Sequence, residues 1–542
     1  MSAYAGTGRL IRLAARRDRV QLPIWIVGSA VLLAAGAAAV VDEFPTAVER
    51  STALQGAGGS PAVLLMRGIP VGTETGAFVN FRNFAFMLVL AALMSTFAVV
   101  RHTRQNEETG RAEMIGAGSV GRHAGLTAAL AVVLGANLVL GAVLTATLLA
   151  ADLPADGAVA FGAACAATGM AFAGIAAVGA QLFQSARTAN AFAATAVGVA
   201  FLIRGVGDAL GHRAPDGIHV TSSWLSWLSP IGWGIQVRPY GEERWWVLAL
   251  PLALLAACVV GAFALVDRRD LGAGLIPDRP GPANGSPALL SPVGLAWRLN
   301  RGSTLGWVIG AAAFGVGIGS IGNTVNEAFA DNQGAAELMT QLAGTGGAAG
   351  LVDMYFAAMM NVFGALAAGF VVQALLRLRS EEAAGRAEAV LATAVSRTRW
   401  VAAHLACAVG GAAAMLLVAG AATGIADAAT GGDVGVRTLI VAGLAQLPAA
   451  LTLAGFVVLA FGGLPRLVVM LAWAGLVVSL ACGLFGDLLG LPQPVRDLSP
   501  FSHVPAIPAA DATAGPVVAL VAVAAALVAA GMALFRRRDL AP

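Results

Sequence analysis

The residues with the spacing to do chemistry lie in one charged patch, Arg104-Gln-Asn-Glu107-Glu108-Thr-Gly110-Arg111-Ala-Glu113, set in an otherwise apolar chain. It recurs 275 positions later as Arg379-Ser-Glu381-Glu382-Ala-Ala-Gly385-Arg386-Ala-Glu388. Without a gap, Arg104, Glu107, Gly110, Arg111, Glu113 and Arg122 fall on Arg379, Glu382, Gly385, Arg386, Glu388 and Arg397. Each copy follows a long apolar run, so each reads as a charged helix at a membrane surface. Positive-inside bias alone asks only for arginine there. Carboxylates in fixed register with those arginines point instead to a docking surface that couples the flanking spans to a partner. Glu107, Glu108, Arg111 and Glu113 of the first copy, and Glu381, Glu382, Arg386 and Glu388 of the second, are the candidate coupling residues. Gly110 and Gly385 are placed to bend them.

Other chemistries find little support. All 33 basic residues are arginine, so the lysine of a phosphate-binding loop and Schiff-base catalysis are both excluded. The chain is therefore read as one that does not itself hydrolyse ATP, with no cofactor of its own, no metal site and no nucleic-acid partner. Cys165, Cys258, Cys407 and Cys482 sit far apart within apolar runs and read as small buried hydrophobes. The six histidines show neither metal nor triad spacing.

The elements that carry the patches follow from composition. With 58% hydrophobic and 12% charged residues over 542 positions, the chain cannot bury its apolar side chains in a soluble core and keep a polar surface. It reads as an all-α integral membrane protein. Crossing the bilayer takes about 20 apolar residues, and twelve such runs are expected, at roughly 22–41, 83–100, 124–150, 158–184, 188–204 and 246–266, and then at 304–323, 354–376, 401–426, 437–463, 467–486 and 515–535. Long loops are expected at 42–80 and 205–245. Residues 4–20 read as an amphipathic elbow, with Leu10, Ile11 and Leu13 beside Arg9, Arg12, Arg16, Arg17 and Arg19.

The halves share further landmarks. Arg187 aligns with Arg466, Asp208 with Asp487, and Ser229-Pro230 precedes the sixth run as Ser499-Pro500 precedes the twelfth. Asp267-Arg-Arg-Asp-Leu271 and Arg536-Arg-Arg-Asp-Leu540 read as matching basic stops. The expected division is a first half at 1–271, a Pro/Gly-rich cytoplasmic linker at 272–292 and a second half at 293–542. Most arginines fall on the side shared by the termini and both patches, which predicts cytoplasmic termini, and six spans per half predict two parallel repeats. Trp224, Trp227, Trp233, Trp245 and Trp246 read as interfacial anchors. Asn137, Gln181, Asn190, Asn361, His404 and Gln446, the polar residues in or near spans, read mainly as interhelical hydrogen-bonding groups.

The six-span unit with its elbow, the Glu-Glu-Thr-Gly-Arg-Ala-Glu segment at 107–113, the Glu-Glu-Ala-Ala-Gly-Arg-Ala-Glu segment at 381–388 and the Ser-Pro loops resemble the type-2 ATP-binding-cassette exporter permeases. In particular they resemble the tandem twelve-span actinobacterial form identified as exporters of polyketide antibiotics of the tetronasin type. The resemblance implies a multi-pass permease of the cytoplasmic membrane that expels hydrophobic compounds. It implies two copies of a separate cytosolic ATPase, which bind ATP and Mg and move coupling helices at about 101–122 and 376–399. It also implies a path between the halves lined by their first, second and fifth spans. The candidates for that path are Asn80, Asn83, Phe86 and Met87, with Met359, Met360, Asn361 and Phe363. A gradient-driven secondary multidrug transporter is the alternative, disfavoured by the lack of carboxylates at the span centres.

Overall fold

The computed structural model describes residues 2–59, 61–276, 284–322, 350–483, 491–510 and 513–540. The chain divides into two compact units, Met1–Gly281 and Pro282–Pro542. The protein is an all-α integral membrane protein. Among the described residues, eleven helices are long and apolar enough to cross a membrane.

The first unit opens with the amphipathic helix α1 (Thr7–Arg17), whose chain turns at Asp18 into the span α2 (Gln21–Glu43). The expected loop at 42–80 instead contains two helices, α3 (Ala47–Gly59) and α4 (Pro61–Arg67), and the next span, α5 (Thr75–His102), begins eight residues earlier than its apolar run suggested. Polar residues hide that first turn in the sequence, yet Asn80 is buried there beside Phe78 and Phe81. The patch follows as α6 (Arg104–Glu108) and α7 (Arg111–Gly116). Spans α8 (Ala124–Leu149), α9 (Ala155–Leu182) and α10 (Ala186–Ala209) come next. A two-stranded hairpin, β1 (His212–Arg213) with β2 (Val220–Thr221), and the short helix α11 (Pro230–Gln236) precede the last span, α12 (Ala249–Val266).

In the second unit the elbow and first span are one 28-residue helix, α13 (Pro292–Gly319). It is followed by α14 (Leu351–Ala383), α15 (Arg386–Leu391) and α16 (Arg397–Ala429). The expected span at 437–463 is a single crossing, Val436–Gly463, made of α17 (Val436–Leu444) and α18 (Leu447–Gly463), with Pro448 just inside the second. The expected span at 467–486 appears as α19 (Val468–Gly483), an apolar helix of 16 residues. This is short for a full crossing, and the run continues into residues 484–490, which lie outside the described residues, as does Asp487. The last span is α20 (Ala514–Arg537). Of the expected linker, Pro277, Pro280 and Pro282 lie outside the described residues, Pro287 opens a 3-10 turn and Pro292 starts α13.

Each unit buries aromatic side chains at its centre: Phe84, Phe161 and Phe172 in the first, Phe356, Phe363, Phe370 and Phe461 in the second. Glycine lets helices meet backbone to backbone. A Cβ on Gly162 would sit 2.3 Å from the Gly141 carbonyl oxygen, joining α9 to α8. One on Gly462 would sit 2.2 Å from that of Gly531, joining α18 to α20. Outward-facing apolar residues such as Ile24, Val27 and Val31 of α2 are exposed, as a lipid-facing helix requires.

Candidate functional site: two latched patches

The patch is not a single rigid helix in either unit. α5 ends at His102, α6 runs for one turn, and Gly110 then takes a left-handed conformation (φ 71°, ψ −1°) that starts α7 in a new direction. In the second unit α14 continues as far as Ala383, and Gly385, at the same φ and ψ, starts α15. A residue with a side chain is strained at this φ, which is why glycine recurs at these two positions.

What fixes each patch is a glutamate clamped by an arginine from just beyond the unit's last span. Glu107 accepts from Nη2 and Nη1 of Arg269 at 2.6 and 2.8 Å. Glu382 accepts from Nη1 and Nη2 of Arg538 at 2.6 and 2.9 Å. Both glutamates are largely enclosed, their side chains 9% and 2% exposed. Two-pronged pairing of this kind fixes orientation as well as distance. The patch arginines add support. Arg104 bonds the Ala180 carbonyl, Glu107 and the Ala273 carbonyl, and Arg379 lies 3.6 Å from Glu382.

A second repeated contact closes the same joint. Arg122 donates to the carbonyls of Val266 and Arg269 at 2.8 and 2.7 Å. Arg397 donates to the corresponding carbonyls of Phe535 and Arg538, the former at 3.1 Å. The Val266 and Phe535 carbonyls lie in the last turn of each last span, where helical partners run out, and a guanidinium suits that negative helix end. The two basic stops are thus half of a latch.

The other candidate coupling residues separate by exposure. Glu108 accepts from the backbone N–H of Ala186 at 3.0 Å and ties the patch to the start of α10. Glu381 is buried and holds Arg386 by two hydrogen bonds, 2.7 and 3.0 Å, while Arg377 lies 3.5 Å away. Hydrogen bonding to Glu381 keeps the Arg386 guanidinium above its usual range, with partial burial opposing. Arg111, Glu113, Arg386 and Glu388 are exposed on α7 and α15.

The elbow is tied to the first patch at Asp18, which is 2% exposed. Asp18 pairs with His102 and lies 2.8 Å from Arg101. Burial raises the Asp18 carboxyl, but the His102 hydrogen bond and the charges of His102 and Arg101 outweigh it and hold the group below the usual carboxylate range. Arg17 donates to Asn106. Between α1, α6, α7, the start of α8 and the end of α12 lies a cavity of about 830 Å³, which includes Leu13, Arg17, Arg111 and Leu126 in its lining.

The candidate path residues divide in a similar way. Asn80, Met87, Met360 and Phe363 are buried within their own units, Asn83, Met359 and Asn361 are half-buried, and Phe86 is exposed. Asn83 fits against Gly36 of α2, where a Cβ would meet its side-chain oxygen at 2.1 Å. Several polar groups in the spans do bridge elements. Asn137 bonds Ser95 at 2.8 Å, Gln446 bonds Asn361 at 2.8 Å, and the Gln181 side-chain oxygen accepts from Nε of Arg269 at 2.7 Å. The Ser-Pro loops are matched as well. Ser229 donates to the Ala200 carbonyl at 2.6 Å and Ser499 to the Ser479 carbonyl at 2.7 Å, and each serine caps the turn that follows it.

Sequence reading missed Arg204. It took this residue as the end of a span, but the side chain is fully buried at 0% exposure. It pairs with Asp208 at 3.2 Å and donates to the carbonyl of Leu65 at 2.9 Å, clamping α4 onto α10. The i, i+4 spacing to Asp208 was the available signal.

Comparison with known proteins fits this architecture. Over 541 residues, 99% of this chain and 96% of the relative, the sequence is 43% identical to the multidrug efflux system permease protein Rv1217c of Mycobacterium tuberculosis (strain ATCC 25618 / H37Rv). The chain belongs to the Rv1217c permease family. A model of the C-terminal domain of the multidrug efflux system permease Rv1217c matches residues 289–536. Within this permease family match lie Glu382, Gly385 and Arg397 of the second latch, and it ends two residues before Arg538.

Proposed function

We propose that this chain is the membrane-embedded permease subunit of an ATP-driven exporter that moves hydrophobic compounds, drugs or antibiotics, out across the cytoplasmic membrane. The relative's printed role in multidrug efflux supports the transport reading. The observation that carries the coupling reading is the repeated latch. It secures Glu107 and Glu382 inside each unit and leaves Arg111 and Glu113 on α7, and Arg386 and Glu388 on α15, presented to solvent. Glu107 and Glu382 each lie four residues before the short helix of their unit and are tied to the arginine just past the last span, so a push on α7 or α15 is transmitted through that tie to the last span and, through α5 or α14, to the second span.

In this reading two copies of a cytosolic ATPase, which themselves bind ATP and Mg, dock on the two short helices. This chain contributes no nucleotide chemistry. Both termini are cytoplasmic, on the side of the patches, and residues 272–292 link the two transmembrane halves. Asn83, Phe86, Met359 and Asn361 are the partly exposed members of the proposed substrate path. Phe and Met surfaces accommodate apolar molecules of different shape.

The test is charge reversal at Glu113 and Glu388 together, assayed with the ATPase in lipid. Stimulated ATP turnover is expected to disappear while the permease keeps its elution profile and melting temperature. Unchanged turnover overturns the docking assignment.

A further inference from the structure

The two patches differ at one register position, and the difference leaves a charge unanswered. Asn106 stands where the second unit has Glu381. In the second unit Glu381 neutralises Arg386 through two hydrogen bonds. In the first, the Asn106 side-chain oxygen accepts from Arg17, and Arg111, the counterpart of Arg386, has no ion pair among the described residues. Arg111 borders the cavity of about 830 Å³. Arg16 and Arg17 border it too, Arg16 exposed and also without an ion pair among the described residues. Two carboxylates reach the lining. Glu107 is already clamped by Arg104 and Arg269, and Asp270 is exposed at the rim beyond them. The excess of positive charge is felt at Arg17, whose guanidinium is lowered by burial and by the neighbouring charges of Arg111 and Arg101, with Asp18 opposing.

The remainder of the wall is apolar. Leu10 and Leu13 of α1, Ile115 of α7, Leu126 of α8 and Val266 of α12 line it. Gly125 and Gly116 contribute no side chain, and a Cβ at either would meet nothing within 4 Å. The cavity thus lies where an amphipathic helix, the first turn of one span and the last turn of another come together, at the depth of lipid headgroups. A basic mouth over an apolar chamber is complementary to an anionic headgroup carrying an acyl chain.

We infer that this cavity binds one anionic phospholipid from the leaflet on the elbow side, its phosphate held by Arg111 with Arg16 and Arg17, and an acyl chain lying between α1, α8 and α12. The lipid supplies in the first unit the negative charge that Glu381 supplies in the second. It wedges the elbow against α7, so only the first of the two short helices is responsive to lipid charge.

The test uses the full-length chain, washed free of lipid in detergent and titrated with dioleoylphosphatidylglycerol, dioleoylphosphatidylcholine or inorganic phosphate. Retained lipid is counted by native mass spectrometry. The wild type is expected to retain one phosphatidylglycerol in preference to phosphatidylcholine, and inorganic phosphate at the same concentration is expected not to displace it. Asn106→Glu rebuilds the carboxylate of the second unit, and Gly125→Trp fills the apolar chamber without touching a charge. Asn106→Glu should weaken retention roughly five- to tenfold, the effect of about one headgroup charge contact, and Gly125→Trp should also weaken it, by denying the acyl chain its space. Should either variant fail to fold, Arg111→Gln, an exposed change, is expected to give the same loss. Equal retention of the two lipids, or undiminished retention in the folded variants, overturns the inference. Displacement by inorganic phosphate together with indifference to Gly125→Trp overturns it in favour of a free anion. Loss of ATPase binding in Arg111→Gln with no lipid preference overturns it in favour of a protein partner.

Discussion

Arg538 reaches back from beyond the last span to hold Glu382 of the second patch through both terminal nitrogens, at 2.6 and 2.9 Å. Arg269 holds Glu107 of the first patch in the same way. The recurrence of one geometry in two compact units marks the joint between patch and last span as the feature both preserve. Removing one partner of such an enclosed pair leaves an unmatched charge, which costs about 3–5 kcal/mol. Glu382→Ala and Arg538→Ala are therefore each expected to lower the melting temperature of the purified permease sharply. The double variant is expected to lose much less than the sum of the two, whereas the exposed Glu113→Ala should leave the melting temperature unchanged. Additive losses in the double variant would show that the pair is not coupled.

The breaks at Gly110 and Gly385 give a second test. Both residues have φ 71°, and a Cβ at either would have nothing within 4 Å. Replacement by alanine thus meets no clash and costs only the left-handed backbone, about 1–2 kcal/mol. A modest fall in melting temperature is expected in Gly110→Ala and in Gly385→Ala, with ATPase stimulation weakened because α7 or α15 starts in a different direction. Stimulation equal to wild type in both would separate the direction of the short helices from coupling.

The elbow contact carries a pH dependence of definite sign. Asp18 is held below its unfolded range despite its burial, through the His102 hydrogen bond and the His102 and Arg101 charges. A lowered carboxylate contributes stability that is complete above the unfolded value of about 3.9 and is lost as pH falls through the lower folded value. Elbow docking, read by protease accessibility of α1, is expected to hold above pH about 4 and to weaken progressively as pH falls below it through the lower folded value. Asp18→Asn should make docking weaker at neutral pH and flatten its acid limb. An unaltered acid limb in that variant would assign the transition to other groups.

How far the sequence revealed this arrangement differs from residue to residue. The repeat was legible because Glu107 and Glu382, Gly110 and Gly385, and Arg122 and Arg397 keep one spacing, and the structure gives the members of each pair the same local role. The latch partners Arg269 and Arg538 were visible only as basic stops. A pairing across more than 150 positions leaves no periodic trace in one sequence, though the shared Arg-Asp-Leu was a signal. Arg204 was missed because its burial depends on the carbonyls of Leu64 and Leu65 in α4, within a stretch that reads as loop. The start of α5 was placed too late because Asn80, Arg82 and Asn83 dilute its apolar run, and Arg82 in fact pairs with Glu43 at 2.6 Å. At 437–463 the apolar run does mark a single crossing, Val436–Gly463, but it conceals the joint between α17 and α18 within it.

The most direct measurement of the central claim is ATP hydrolysis in lipid by the ATPase alone, by this chain alone and by the two together, across a panel of hydrophobic antibiotics. The account predicts no turnover by the chain alone, and in the complex a turnover above that of the ATPase alone that some compounds alter. A mixture that hydrolyses ATP no faster than the ATPase alone, with no stable complex and with compound efflux driven by a proton or sodium gradient instead, would contradict it.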